Sequence, residues 1–199
     1  MLVVYAKYKN MLYTRKGDHG TTKLFNCAQG ERLSKSDFVF EVLGLLDELN
    51  CVIGYAKVLS RKSNNVLSVK GENISYDKIL EILQQNLFCI QAEIGGSDIH
   101  LTKDHVLYLE EIISEVEKVL PPINSFVVYG GGESSAYLDI ARAVARRVER
   151  QMVLLKEQKS RLVGEESLIF LNRLSSVLYA LARFANYQEG YVENNPNYK

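Results

Sequence analysis

Arg142, Arg146, Arg147 and Arg150 are crowded together in the chain, with Asp139 and Glu149 among them. On a helix, where each residue turns by about 100°, Arg142, Arg146, Glu149 and Arg150 share one stripe. Guanidiniums so crowded repel one another unless acids or a bound anion offset them. Each also presents a planar fork of donors that matches phosphate oxygens. Two readings stay open from spacing alone: a phosphate site, or a solvated face whose surface ion pairs carry little energy.

A second candidate is the polar, Gly-rich lead over about residues 10–35, with Thr14-Arg15-Lys16-Gly17-Asp18-His19-Gly20-Thr21-Thr22-Lys23 at its centre. Its amides, its hydroxyls and the cations Arg15, Lys16 and Lys23 could wrap a polyphosphate. It lacks the residue order of a P-loop and no strand is expected before it, so a plain surface loop is the alternative. Asp47 and Asn50 lie three apart and share a helix face; Asp47 is either exposed or paired with a cation such as one of the arginines. Asn172, Ser176, Tyr179 and Arg183 form a polar line that is either a site or a solvent face. His19, His100 and His105 pair with no cysteine at ligand spacing, so no zinc site is expected. Neither a Gly-x-Ser-x-Gly nor a Cys–His signature is present, so no nucleophile of those kinds is expected.

These residues sit on elements that the periodicity defines. Apolar positions recurring every three or four residues predict helices over about Asp37 to Leu59, Tyr76 to Gly95, Thr102 to Leu120, Glu133 to Lys156 and Glu165 to Gln188. Thr102 is placed to cap the third, and Pro121-Pro122 to stop it. Residues 60–76 read as a polar connection and Ser125 to Tyr129 as an extended connector. The tail from Glu189 to Lys199 is polar and expected to be mobile in isolation. No strand signal is strong. The expected fold is all-α: a five-helix bundle in a single domain over residues 1–199.

Composition narrows the partners. In 199 residues, 24 basic side chains balance 24 acidic ones, and 47% of residues are hydrophobic. There is enough apolar material for a core, and no basic excess of the kind that marks a nucleic-acid binder. Cys27, Cys51 and Cys89 are an odd set without close spacing, which argues for reduced thiols and a cytoplasmic protein. Met1 to Ala6 is too short for a signal-peptide core, and no apolar run is expected to approach the ~20 residues of a membrane span.

Four segments in order carry a resemblance. They are Tyr13-Thr14-Arg15-Lys16-Gly17-Asp18-His19-Gly20, Phe40-Glu41-Val42-Leu43-Gly44-Leu45-Leu46-Asp47-Glu48-Leu49-Asn50, Ala141-Arg142-Ala143-Val144-Ala145-Arg146-Arg147-Val148-Glu149-Arg150 and Phe170-Leu171-Asn172-Arg173-Leu174-Ser175. Together the sequence resembles the PduO-type ATP:cob(I)alamin adenosyltransferases, over nearly the whole chain. Where the family has Pro before the Gly pair and Cys in the Arg helix, this sequence has Tyr129 and Ala145.

The resemblance implies transfer of the 5′-deoxyadenosyl group of ATP to cob(I)alamin, yielding adenosylcobalamin and triphosphate. It implies a homotrimer with sites between subunits, Mg²⁺ carried on ATP, a reductase upstream and an adenosylcobalamin-dependent mutase downstream. Residue by residue, nucleotide contacts fall on Thr14, Arg15, Lys16, Gly17, Thr22, Lys23, Lys35, Arg146, Arg147, Glu149, Arg150 and Asn172. Asp47 and Arg142 match a pair that bridges subunits near the corrin. Phe126 matches an aromatic residue on the lower face of cobalamin. An adenosylcobalamin delivery module, or a nucleotide-binding regulator with little turnover, are the alternatives.

Overall fold

The computed structural model describes residues 12–63 and 65–199. Among these residues there are five long helices: α1 (Phe38–Ser60), α2 (Tyr76–Ile94), α3 (Lys103–Glu117), α4 (Glu133–Glu157) and α5 (Glu165–Gln188). Each matches a predicted helix to within a few residues. Each buries a stripe at helical spacing, as Val42, Leu46, Leu49, Ile53 and Ala56 do on α1. At the start of α3, the Thr102 N–H donates to His105 Nδ1 at 3.1 Å, so this histidine serves as a cap.

Helix α5 carries the largest set of buried residues of the five helices. It lies against α3 on one side and α4 on the other, α4 packs on α1, and α1 packs on α2. By length and composition α5 could cross a membrane, contrary to the expectation that no segment comes close. Its apolar side chains lie in the core instead: Phe170, Leu171, Leu174, Leu178, Leu181 and Ala185 are fully buried. The Met1 to Ala6 segment lies outside the described residues.

Two small antiparallel hairpins correct the strand-free expectation. In the lead, β1 (Thr21–Thr22) pairs with β2 (Leu33–Ser34). In the segment read as a polar connection, β3 (Val66–Val69) pairs with β4 (Glu72–Ser75). Lys70 and Gly71 join them with φ of 53° and 80°, the doubly positive geometry of a two-residue hairpin turn. Leu67 and Val69 are buried, while Val66 and Ser68 face out. The strand lies against α3 and adds to the core.

Candidate active site

Helix α4 turns Leu138, Ala141, Val144, Ala145, Val148, Met152 and Leu155 into the core. The opposite edge then carries the arginines: Arg142 is half-buried, and Arg146, Arg147 and Arg150 are exposed. Arg147 projects away from the other three and pairs with Glu48 of α1. This is what a residue one step along the helix from Arg146 must do.

Arg142 lies deepest. Its Nε is 3.7 Å from Asp139 Oδ1, and its guanidinium lies 4.3 Å from the Tyr129 ring centre and 5.9 Å from that of Tyr179. Two aromatic faces thus help hold a cation whose ion pair is long. The Asp139 Oδ2 accepts the Gly130 N–H at 3.1 Å. Burial raises the Asp139 carboxyl above the usual aspartate value, against the opposing pull of the Gly130 amide and Arg142. Tyr179 is likewise pushed up by burial.

The segment before α4 shapes a cleft of about 460 Å³, lined by Phe126, Tyr129, Arg142, Arg146 and Tyr179 among others. Phe126 is 75% exposed at its rim. The chain reaches α4 through Gly130 and Gly131, with φ of 102° and 123°. A Cβ on Gly131 would stand 2.3 Å from Asn186 Oδ1. Asn186 holds the turn by donating to the Gly130 carbonyl at 2.8 Å and accepting the Gly132 N–H at 3.1 Å. Glycine is required here both by conformation and by space.

Arg146 borders this cleft and also a groove shared with Glu149, Arg150 and Val153. Glu149 Oε1 accepts from Asn172 Nδ2 at 2.7 Å, across from α5. The Asn172 amide oxygen accepts from Arg173 Nη1 at 2.8 Å, and Arg173 Nε donates to Glu110 at 2.9 Å. The result is a groove along one edge of α4 in which Arg146 and Arg150 make no ion pair among the described residues, while the carboxylate between them is already engaged by Asn172. Such a groove suits a multiply charged anion.

The lead is built around Arg32, which the sequence reading missed. Its Nε donates to Thr21 Oγ1 at 2.8 Å, and its Nη2 donates to the Lys16 and Thr21 carbonyls at 2.6 and 2.7 Å. Lys35 Nζ donates to the Gly17 carbonyl at 2.9 Å. Thr14, Arg15, Lys16 and Lys23 are exposed on this loop, and Thr22 is half-buried.

The predicted site residues therefore fall into separate groups. Arg142, Arg146 and Phe126 share the cleft, and Arg146, Glu149, Arg150 and Asn172 are brought together beside it. The lead forms its own group: among the described residues no hydrogen bond or ion pair joins Thr14, Arg15, Gly17, Thr22, Lys23 or Lys35 to the arginines of α4. Asp47 is exposed on α1 and makes no ion pair among the described residues.

Comparison with known proteins bears on this arrangement. The family described as cobalamin adenosyltransferase matches residues 12–185. The chain belongs to this family. It is 35% identical to corrinoid adenosyltransferase MMAB of Bos taurus, over 92% of this chain and 74% of the relative. It is 33% identical to the corrinoid adenosyltransferase of Mycobacterium leprae, over 91% and 94%. Among solved structures, it resembles a variant of the PduO-type ATP:corrinoid adenosyltransferase from Lactobacillus reuteri complexed with cobalamin and ATP. That match has a TM-score of 0.79 at 28% identity and covers 94% of this chain and 97% of that one.

Within this adenosyltransferase, Tyr129 gains a physical role that the sequence did not disclose: it is the ring nearest the Arg142 guanidinium. Asp139 was visible three residues before Arg142 in sequence, but its link to Gly130 was not. Among the described residues no group of three His, Cys, Asp or Glu side chains could hold a metal ion.

Proposed function

We propose that this protein transfers the 5′-deoxyadenosyl group of ATP to cob(I)alamin, forming adenosylcobalamin and inorganic triphosphate. One observation carries the reading: the anion groove at Arg146 and Arg150 opens beside the aromatic cleft at Phe126, with Arg146 on both. A substrate with a triphosphate at one end and a reactive carbon at the other fits that order. The relative from Lactobacillus reuteri, complexed with cobalamin and ATP, supports it.

The cobalt(I) electron pair of the substrate attacks C5′ of the ribose. The cobalt–carbon bond forms as the C5′–O bond breaks, and its electron pair leaves with the triphosphate. No protein nucleophile is needed. The protein's tasks are orientation and charge. Arg146 and Arg150 stabilise the leaving triphosphate, and the hydrogen bond from Asn172 holds the Glu149 carboxylate in place beside them. Mg²⁺ would be carried in with ATP, where its charge would offset part of that of the triphosphate beside Arg146 and Arg150. Phe126 packs against the lower face of the corrin and favours loss of the lower axial ligand from cobalt(II), which eases its reduction.

The site is completed between subunits of a homotrimer. The lead of one copy brings Thr14, Arg15, Lys16, Gly17, Thr22, Lys23 and Lys35 to ATP bound on the α4 groove of the next. Asp47 of one copy pairs with Arg142 of another. The separation of these groups within one chain supports this assembly. Each chain acts as a single helical-bundle domain in the cytoplasm, supplied by a cobalamin reductase and drained by an adenosylcobalamin-dependent mutase. The reading is tested by the phosphorus product. Under reducing conditions, ATP with cob(I)alamin should yield intact triphosphate in step with cobalamin consumed; release of orthophosphate or pyrophosphate instead would count against it.

A further inference from the structure

Residues 122–129, which present Phe126 and Tyr129 to the cleft, are joined to the rest of the described chain by two hydrogen bonds. Both go to the C-terminal tail. The Val128 N–H donates to the Asn194 carbonyl at 2.8 Å, and Ser125 Oγ donates to Asn195 Oδ1 at 2.8 Å. Among the described residues no helix hydrogen-bonds this stretch directly, and its other tie to the bundle is the Tyr129 ring against Arg142 of α4.

The tail is itself anchored at one strong point. Arg183 of α5 donates from Nε to Glu193 Oε1 and from Nη2 to Glu193 Oε2, both at 2.7 Å. Arg183 Nη2 also donates to the Pro121 carbonyl at 3.3 Å, where the connector begins. The two side chains are 10% and 23% exposed. A forked pair with two parallel hydrogen bonds fixes its geometry more tightly than a single-contact surface ion pair. Glu193 precedes the two asparagines that hold the connector, so a fixed Glu193 fixes the register of Asn194 against Val128. The Tyr191 N–H, donated to the Asn186 carbonyl at 2.9 Å, sets the tail's departure from α5.

We propose that the Arg183–Glu193 pair is a clasp that positions Phe126 in the corrinoid cleft, making both residues positioning residues for cobalamin though neither lines the cleft. The proposal rests on the adenosyltransferase reading for its consequence in catalysis, but not for its structural part. The chain of contacts runs from α5 through Glu193, Asn194 and Val128 to Phe126, and the ATP groove at Arg146, Glu149 and Arg150 is not on it.

Three measurements on the full chain test it. First, hydrogen exchange without substrates: in Glu193→Ala and in the gentler Glu193→Gln, the Val128 amide should exchange at least about tenfold faster, while core amides of α5 keep their protection. Unchanged protection at Val128 in both variants would overturn the clasp, whatever the protein catalyses. Second, kinetics: Glu193→Ala should raise KM for cobalamin about tenfold or more and leave KM for ATP within about twofold. Equal losses for the two substrates, or no change for cobalamin, would overturn it. Third, a double-mutant cycle: in a Phe126→Ala background, Glu193→Ala should add little further loss, because the group it positions is gone. Full additivity would show that Glu193 acts elsewhere. A wild-type protein that forms no adenosylcobalamin would sink the functional reading and leave the exchange result to decide the clasp.

Discussion

Replacing Arg146 by Ala separates the two readings of the arginine stripe. Arg146 is exposed and makes no ion pair among the described residues. Its removal deletes no internal partner and relieves repulsion with Arg142 and Arg150, so folding stability should change by no more than about 0.5 kcal/mol. Catalysis should respond very differently. Triphosphate gains charge as it leaves, and a guanidinium aimed at it is worth about 2–4 kcal/mol in the transition state, or roughly 30- to 1000-fold in kcat/KM. The assay varies ATP at saturating cob(I)alamin and reads kcat and KM separately, beside a thermal melt of each protein. Expected are a higher KM for ATP, a lower kcat and an unchanged Tm. Unaltered ATP kinetics in a folded variant would refute the phosphate assignment and return the stripe to an ion-paired surface.

Further outcomes follow from other parts of the site. Arg142→Ala should chiefly weaken cobalamin use, Asp47→Ala should resemble it, and the double variant should cost less than the sum of the singles; strict additivity in kcat/KM would deny the pairing. Asp139 has a folded-state pKa raised above its unfolded one, so its contribution to stability is full below the unfolded pKa and is lost as pH rises through the folded pKa. Wild-type stability relative to Asp139→Asn should therefore increase as pH falls from about 7 to about 4 in thermal melts, and a decrease would contradict the burial argument. Gly131→Ala must place a methyl 2.3 Å from Asn186 Oδ1 at a φ of 123°. It should cost about 1–3 kcal/mol in denaturant melts, and a neutral result would mean the turn can relax freely. Limited proteolysis should cut the lead over about residues 12–35 more slowly with Mg-ATP present; equal rates would remove it from the nucleotide site.

Much of this was legible in the sequence because helical period and burial obey one geometry. The spacing that put Val42, Leu46 and Leu49 on a single face of α1 also put Arg142, Arg146 and Arg150 on a single edge of α4. The β3–β4 hairpin was not legible, because four-residue strands give too short an alternation to stand out, and Leu67 and Val69 are buried only once β3 lies against α3. Contacts between segments remote in sequence were hidden for another reason. Asn172 with Glu149, Asn186 with Gly130 and Glu193 with Arg183 depend on how elements pack, and no local pattern encodes them. Arg32 escaped notice because a cation in a polar loop looks like solvent-facing charge until its three acceptors are in place.

The central claim is most directly tested by mixing the purified protein with ATP and chemically reduced cobalamin under strict anaerobiosis and following the visible spectrum. The account predicts loss of the cob(I)alamin bands, growth of a cobalt–carbon-bonded product that light converts back to an unalkylated cobalamin, and one triphosphate per product. Cob(I)alamin that persists beside intact ATP, with folded protein at substrate-like concentrations, would contradict it.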